Sequence, residues 1–243
     1  MMKITKAECY DLTLDYYSHF CDFDLKTKPE GIHFVCTKKR EEVLKGYGNK
    51  VAIYALFKDN SAIISYSPEY EKKLEGLKDK NLEALRNYFK HQMNLWERSL
   101  FVFEEEKINA YGEAFLMTLD DYPLYKYFFK ELNPDCDDSW LYDYYCSKLG
   151  YFCAYQKDKK IISLSDGPDM PYLDGRVQHT GIWTKQAYRH HGYATKTCAL
   201  ATNILLEKGI CPQWECASAN KAAVSLAKKL GYKPYAKAFM YEI

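Results

Sequence analysis

The sequence has almost no net charge: 34 lysines and arginines stand against 33 aspartates and glutamates. Nothing in that balance drives non-specific binding to nucleic acid or anionic lipid. It also lacks any CxxC pair, and its nine cysteines are irregularly spaced and odd in number, which fits reduced thiols better than a disulfide or zinc framework. Cys211 and Cys216 read as flanking a strand. Long apolar runs are missing too: "VAIYALF" from Val51 is far too short to cross a membrane, and the opening "MMKITKAECYDL" is interrupted by charge without an apolar signal core. There is no internal repeat or low-complexity tract. These absences predict a soluble cytoplasmic protein, monomer or homodimer, with a small-molecule partner and no membrane or nucleic-acid partner.

What is present is ordinary globular material. Hydrophobic residues make up 47% and charged residues 28% of 243 positions, enough for a sizeable core. The length predicts two modest domains, and pattern changes place their boundary at residues 107 and 108. In the first, "VAIYALF", a turn at Lys58 to Asn60 and "AIISY" read as a hairpin. Ser67-Pro68 reads as a helix start, Tyr70 to Phe89 as a helical stripe broken near Gly76, and "SLFVFEEE" as a strand. In the second come strand "AFLMT", helix "YPLYKYFFKEL", and a helix through "SWLYDYYCSKLG" with Asp137 or Asp138 near its cap and Gly150 as its stop. A hairpin "YFCAYQ"/"IISLS" follows, then the loop "DGPDMPYLDG" and the strand "VQHTGIWT". The end of the chain reads as a helix from about Ala194 to Lys208, strand "PQWECA", a helix from Lys221 to Leu230, and a last strand "AKAFMYEI". Strand, helix, strand of this length predicts a crossover with parallel strands.

A glycine stands where ordinary helix formers would serve, in "YRHHGYA" at Tyr188 to Ala194. The first N–H groups of a helix have no intrahelical partner and sit at the positive end of its dipole. A pyrophosphate must approach several of them at once, and Gly192 removes the side chain that would block it. Ala194 is small for the same reason, while Arg189, His190 and His191 add donors. Two adjacent histidines without a third ligand do not make a metal site. Further on, "SANKAAVSLAKKLGY" places Asn220 as a helix cap, with Ala223, Leu226, Ala227 and Leu230 on the buried face and Gly231 as the stop.

At these residues the sequence resembles the GNAT superfamily of acyl-CoA-dependent N-acetyltransferases. The signature Q/R-x-x-G-x-G/A stands as Arg189, Gly192 and Ala194, and "NKAAVSLAKKLGY" is similar to the family's N-x-x-A-x-x-L-Y-x-K-x-G-F helix; the resemblance covers about Ala110 to Ile243. It implies an α/β (α+β) fold: a mixed sheet with a splayed parallel strand pair and flanking helices, here with a smaller N-terminal α/β domain that sets acceptor specificity. It implies acetyl-CoA as cosubstrate, its pantetheine arm along the backbone of Ile182, Trp183 and Thr184, its pyrophosphate on Arg189, His190, His191, Gly192, Tyr193, Ala194 and Thr195, and Asn220 beside the arm. The reaction implied is direct attack by a small-molecule primary amine, which needs a base for the amine and an acid for the thiolate.

Here the sequence departs from the family pattern. Ala227 stands where many members carry a tyrosine acid, and Gln178 where some carry a glutamate base. Glu215, on the strand "PQWECA", is the base this sequence offers, with His179, Tyr232, Tyr235 and Tyr241 as alternatives. Those departures keep a second reading open: a protein that binds acyl-CoA as a sensor or interaction module without turnover. A nucleotide-binding loop is disfavoured, because the Lys-Ser/Thr of a P-loop and the second glycine of a dinucleotide fingerprint are absent.

Overall fold

The computed structural model describes residues 3–93, 95–109 and 112–243. Near its start the Thr5 hydroxyl accepts from the N–H of Glu8 while the Glu8 carboxylate accepts from the N–H of Thr5. This reciprocal cap begins α1 (Lys6–Cys21), whose Cys9, Leu12, Thr13, Tyr16, Tyr17 and Phe20 recur at helical spacing and are all buried. Next come β1 (Gly31–Cys36), the hairpin β2 (Val51–Lys58) and β3 (Ser61–Tyr66), the short helices α2 (Glu71–Glu75) and α3 (Leu82–Asn87), and β4 (Trp96–Phe103). The later half supplies β5 (Phe115–Leu116), α4 (Tyr122–Leu132), α5 (Leu141–Ser147), the hairpin β6 (Cys153–Lys157) and β7 (Lys160–Ser165), then β8 (Val177–His179) and β9 (Trp183–Thr184). It ends with α6 (Tyr193–Glu207), β10 (Cys211–Ala217), α7 (Lys221–Lys229) and β11 (Tyr232–Glu242).

Two sheets result, the larger one mixed and the smaller antiparallel. The larger sheet runs β1-β3-β2-β11-β4-β10-β8 and the smaller β5-β6-β7-β9. β1 with β3 and β8 with β10 are parallel, and the other pairs antiparallel. α1 covers one face of the large sheet, with Thr13 bonded to Gln213 and Tyr17 stacked on Tyr235. The opposite face is covered by α6 and α7 at one end, where the Tyr232 hydroxyl meets Thr202 at 2.9 Å. At the other end Leu85 and Phe89 pack on Phe57 and Phe239. In the small sheet α4 and α5 bury Tyr125, Phe128 and Tyr145 against Phe152 and Leu164, while α6 holds the reverse face.

The expected boundary at Lys107 falls between β4 and β5, but β4 is inserted between β10 and β11. The segment before Lys107 therefore completes the sheet of the C-terminal strands; without β4, both β10 and β11 would carry an open edge. Other expected elements hold with shifted ends. "AFLMT" pairs only at Phe115–Leu116. The helix in "SWLYDYYCSKLG" starts at Leu141, because the Asp137 carboxylate accepts from the Ser139 N–H in a turn of its own. "VQHTGIWT" is two strands, β8 and β9, interrupted at Thr180 to Ile182. Among the described residues no helix is long and apolar enough to cross a membrane.

Candidate active site

The interruption at Thr180 to Ile182 is where the two sheets part. β8 pairs with β10 from Cys211 to Gln213 and stops, while β9 pairs only with β7, Trp183 opposite Leu164 and Thr184 opposite Ser163. Hydrogen bonding alternates along a strand, which fixes what faces the opening. Gly181 N–H donates to Asp166 and Lys185 N–H to Ile162, so odd-numbered residues here bond β7, and the main-chain groups of Ile182 and Thr184 turn the other way. On β10 the Cys211 N–H donates to Arg176, and beyond the strand's end the Ser218 N–H donates to Glu97. Glu215 therefore presents its main-chain groups to the same opening from the other wall, while the Ala217 carbonyl accepts from the Asn220 N–H. Of the three backbone positions expected to receive a pantetheine arm, Ile182 and Thr184 face the gap; Trp183 belongs to the ladder with β7.

At one end of the gap begins α6. Gly192 is its N-cap, in the left-handed region at φ 83°, and makes no side-chain cap; a β-carbon built there would meet nothing within 4 Å. Here the expected reason for the glycine gains a second part, since the turn itself demands a positive φ. His190 precedes it at φ 66°. Arg189 donates from Nε to the Thr184 carbonyl at 3.1 Å, tying the loop to β9, and Tyr193 packs on Tyr155 with ring centroids 4.7 Å apart. Arg189, His190 and His191 are exposed, while Gly192, Tyr193, Ala194 and Thr195 are half-buried. Open space over a left-handed glycine, at uncapped N–H groups, fits a pyrophosphate.

α6 packs against β7, β9 and β10 on one face of the gap. The carboxylate of Glu215, the expected base, lies beneath α1 with only 1% of its side chain exposed, bonded by Arg98 Nε at 2.8 Å and approached by the Tyr17 hydroxyl at 3.5 Å. The carboxylate raises the proton affinity of Arg98 against the opposing effect of burial, and burial holds the phenols of Tyr16, Tyr17 and Tyr54 well above their ordinary range. His179 closes β8 on the same face, its ring 5.5 Å from that of Tyr16. Among the described residues its Nε2 has no hydrogen-bond partner, and burial lowers its pKa, outweighing the nearby Glu215 charge.

The remaining expected residues have structural employment. Gln178 donates to the carbonyls of Pro168 and His179. Asn220 caps α7 through the Ala223 N–H at 3.1 Å, and Ala227 is fully buried. The Tyr232 hydroxyl is bonded to Thr202, Tyr235 is buried against Tyr17, and Tyr241 packs edge-on against Tyr70. Two features escaped the sequence reading. α1 was written in the capping pair Thr5/Glu8 and the spacing of its aromatics, and Asp166 carried no signal beyond lying in a loop.

A family model for GNAT acetyltransferases matches residues 55–241, and the chain belongs to that family. The match starts well before Ala110, in keeping with a sheet shared by both halves. A search of curated proteins finds no match. Among solved structures, a GCN5-related N-acetyltransferase from Sphaerobacter thermophilus aligns with a TM-score of 0.51 at 12% identity, over 79% of this chain and 77% of that one; the likeness is one of fold. A GNAT-family acetyltransferase structure from Novosphingobium aromaticivorans gives 0.45 at 15% identity over 60% of this chain, which spans 64% of that protein's length. A Salmonella typhimurium relative, described with its cofactor acetyl-CoA, gives 0.43 at 12% identity over 52% of this chain and 90% of that one. GNAT acetyltransferases use acetyl-CoA.

Proposed function

We propose that this chain is an acetyl-CoA-dependent N-acetyltransferase acting on a primary amine of a small molecule. The observation that carries the reading is the parting of β9 from β10, with the main-chain groups of Ile182 and Glu215 turned to the gap from its two walls and the N-terminus of α6 at its end. Ile182 and Thr184 would hold the pantetheine arm by strand-like hydrogen bonds, and the N–H groups from Gly192 to Thr195 the pyrophosphate. The bound cosubstrate supplies an activated thioester. The protein's part is to orient it, exclude water and receive a proton, since an amine attacks only in its neutral form. The segment before Lys107 contributes α1, which walls the acceptor face and so governs which amine enters. Five of the chain's nine free thiols are buried, as suits a reducing compartment such as the cytoplasm.

The second reading, a protein that binds acyl-CoA without turnover, is favoured by Ala227, by the engaged amide of Gln178 and by the Glu215 carboxylate already held by Arg98. Calorimetric titration with acetyl-CoA, beside adenosine nucleotides, followed by a panel of amines, separates the two. The transferase reading expects saturable, selective binding and acetyl transfer to at least one amine. Binding without transfer supports the second reading, and no binding overturns both.

A further inference from the structure

At the apex of the gap, where β8 ends and β9 begins, a carboxylate stands in the space of a missing side chain. Asp166 follows β7, and its carbonyl accepts from the Gly181 N–H. Residues opposite one another on neighbouring strands share a face. Leu164 lies against α4 and α5, so two residues on Asp166 turns to the same side. There it covers Gly181: a β-carbon on that glycine would sit 2.0 Å from Asp166 Oδ1 and 3.2 Å from its Cγ.

Among the described residues no cation pairs with the carboxylate. Lys148, whose charge it feels, is paired instead with Asp169 at 2.7 Å. Beside it lies a cavity of about 10 Å³, lined by Asp166, Gln178, His179 and Thr180 and closed by Ala201 and Leu205 of α6, the size that admits one water. Among the described residues, the Thr180 Oγ1 of that lining is buried with no hydrogen-bond partner. Buried polar atoms without partners are rare, and this one belongs to a residue that shares a small cavity with Asp166.

We propose that Asp166, with one water held by Thr180, is the group that takes the proton from the acceptor amine. The inference rests on the transferase reading above. As the amine nitrogen forms its bond to the thioester carbon and the carbon–sulfur bond breaks, the sulfur leaves with the electron pair. The nitrogen's proton passes to the water, whose own proton passes to the Asp166 carboxylate. Burial raises the proton affinity of Asp166 above its ordinary value, opposed by a backbone hydrogen bond and by Lys148. The groups around it are Lys148 on the end of α5, Asp169 in the following loop, Tyr125 on α4, Tyr144 on α5, Cys198 on α6, and His179. Tyr125, Tyr144 and Cys198 are each held in their neutral forms, chiefly by burial.

The test compares the full chain with Asp166→Asn and Asp166→Glu, using acetyl-CoA and an amine that the parent acetylates. Asn is expected to bind acetyl-CoA as the parent does by calorimetry, lose roughly a hundredfold or more in kcat, and lose the acid limb of the pH profile; Glu is expected to restore part of the rate. Carboxyl-carbon NMR of the parent, assigned by its difference from Asp166→Asn, should show Asp166 titrating above 3.8. An Asn variant with the parent's kcat and pH profile overturns this inference alone, as does a carboxyl titrating at or below that value. A parent that binds acetyl-CoA but acetylates no amine overturns the transferase reading and this inference with it.

Discussion

Asp166 and Gly181 occupy one space, the carboxylate oxygen lying 2.0 Å from where a β-carbon on the glycine would stand. Gly181 is required for that contact and not for an unusual φ, since it is absent from the positive-φ glycines. Gly181→Ala should therefore lower stability by about 1–3 kcal/mol, the usual cost of forcing a group into filled space. Truncating the other partner removes the clash, so in the Asp166→Ala background the same change should cost much less. A double-mutant cycle in denaturant reads the coupling; additive losses would mean that the two residues do not share the space.

Asp166 also makes stability depend on pH in a direction that can be worked out. Its folded-state pKa is raised above the unfolded value of 3.8 by burial, so between the two the native state holds more protons than the unfolded one. Stability contributed by the protonated carboxyl is complete below 3.8 and is lost as pH rises through the folded value. Asp166→Asn removes the carboxylate that must be buried charged. The variant should gain on the parent between pH 4 and neutrality and show no advantage at lower pH, as measured by thermal midpoints across that range.

Both predictions concern a residue that the sequence did not disclose, and the reason is physical. The anion loop was legible because Gly192 breaks a local rule at a helix start, and the cap at Asn220 because it precedes a periodic helix. The work of Gly181 depends on a neighbour fifteen positions away on another strand, which no local pattern records. The boundary at Lys107 followed from a change in element order, yet pairing across that point puts β4 between β10 and β11. Strand order is set by which edges find partners and is invisible to periodicity. Glu215 was placed on the correct strand, but the Arg98 that holds it lies more than a hundred residues earlier.

The Arg98 and Glu215 pair yields a stability prediction of its own. Removing the arginine leaves a carboxylate buried to 1% of its side-chain surface with only the long Tyr17 contact. Arg98→Leu should cost about 3 kcal/mol, the low end for a broken buried pair because the guanidinium itself is partly exposed. Glu215→Gln, which keeps a hydrogen-bond acceptor for Arg98 and buries no charge, should cost less. Equal losses by chemical denaturation would mean that the pair contributes packing alone.

Gly192 offers a clean separation of fold from binding. Its φ of 83° places any L side chain in the strained left-handed region, while the space around its absent β-carbon is empty within 4 Å. Gly192→Val should thus lower stability through the backbone alone, by about 1–2 kcal/mol, without disturbing packed neighbours. Gly31 has nearly the same φ, 79°, and equally open surroundings, but it begins β1 at the far edge of the large sheet. Gly31→Val should show a similar loss in thermal midpoint and bind acetyl-CoA like the parent. Only Gly192→Val should weaken that binding, by about tenfold or more, which corresponds to at least 1.4 kcal/mol. If both variants bind equally well in calorimetry, the loop serves as a turn and the pyrophosphate lies elsewhere; if both lose binding, strain has spread through the fold and the measured loss is one of stability.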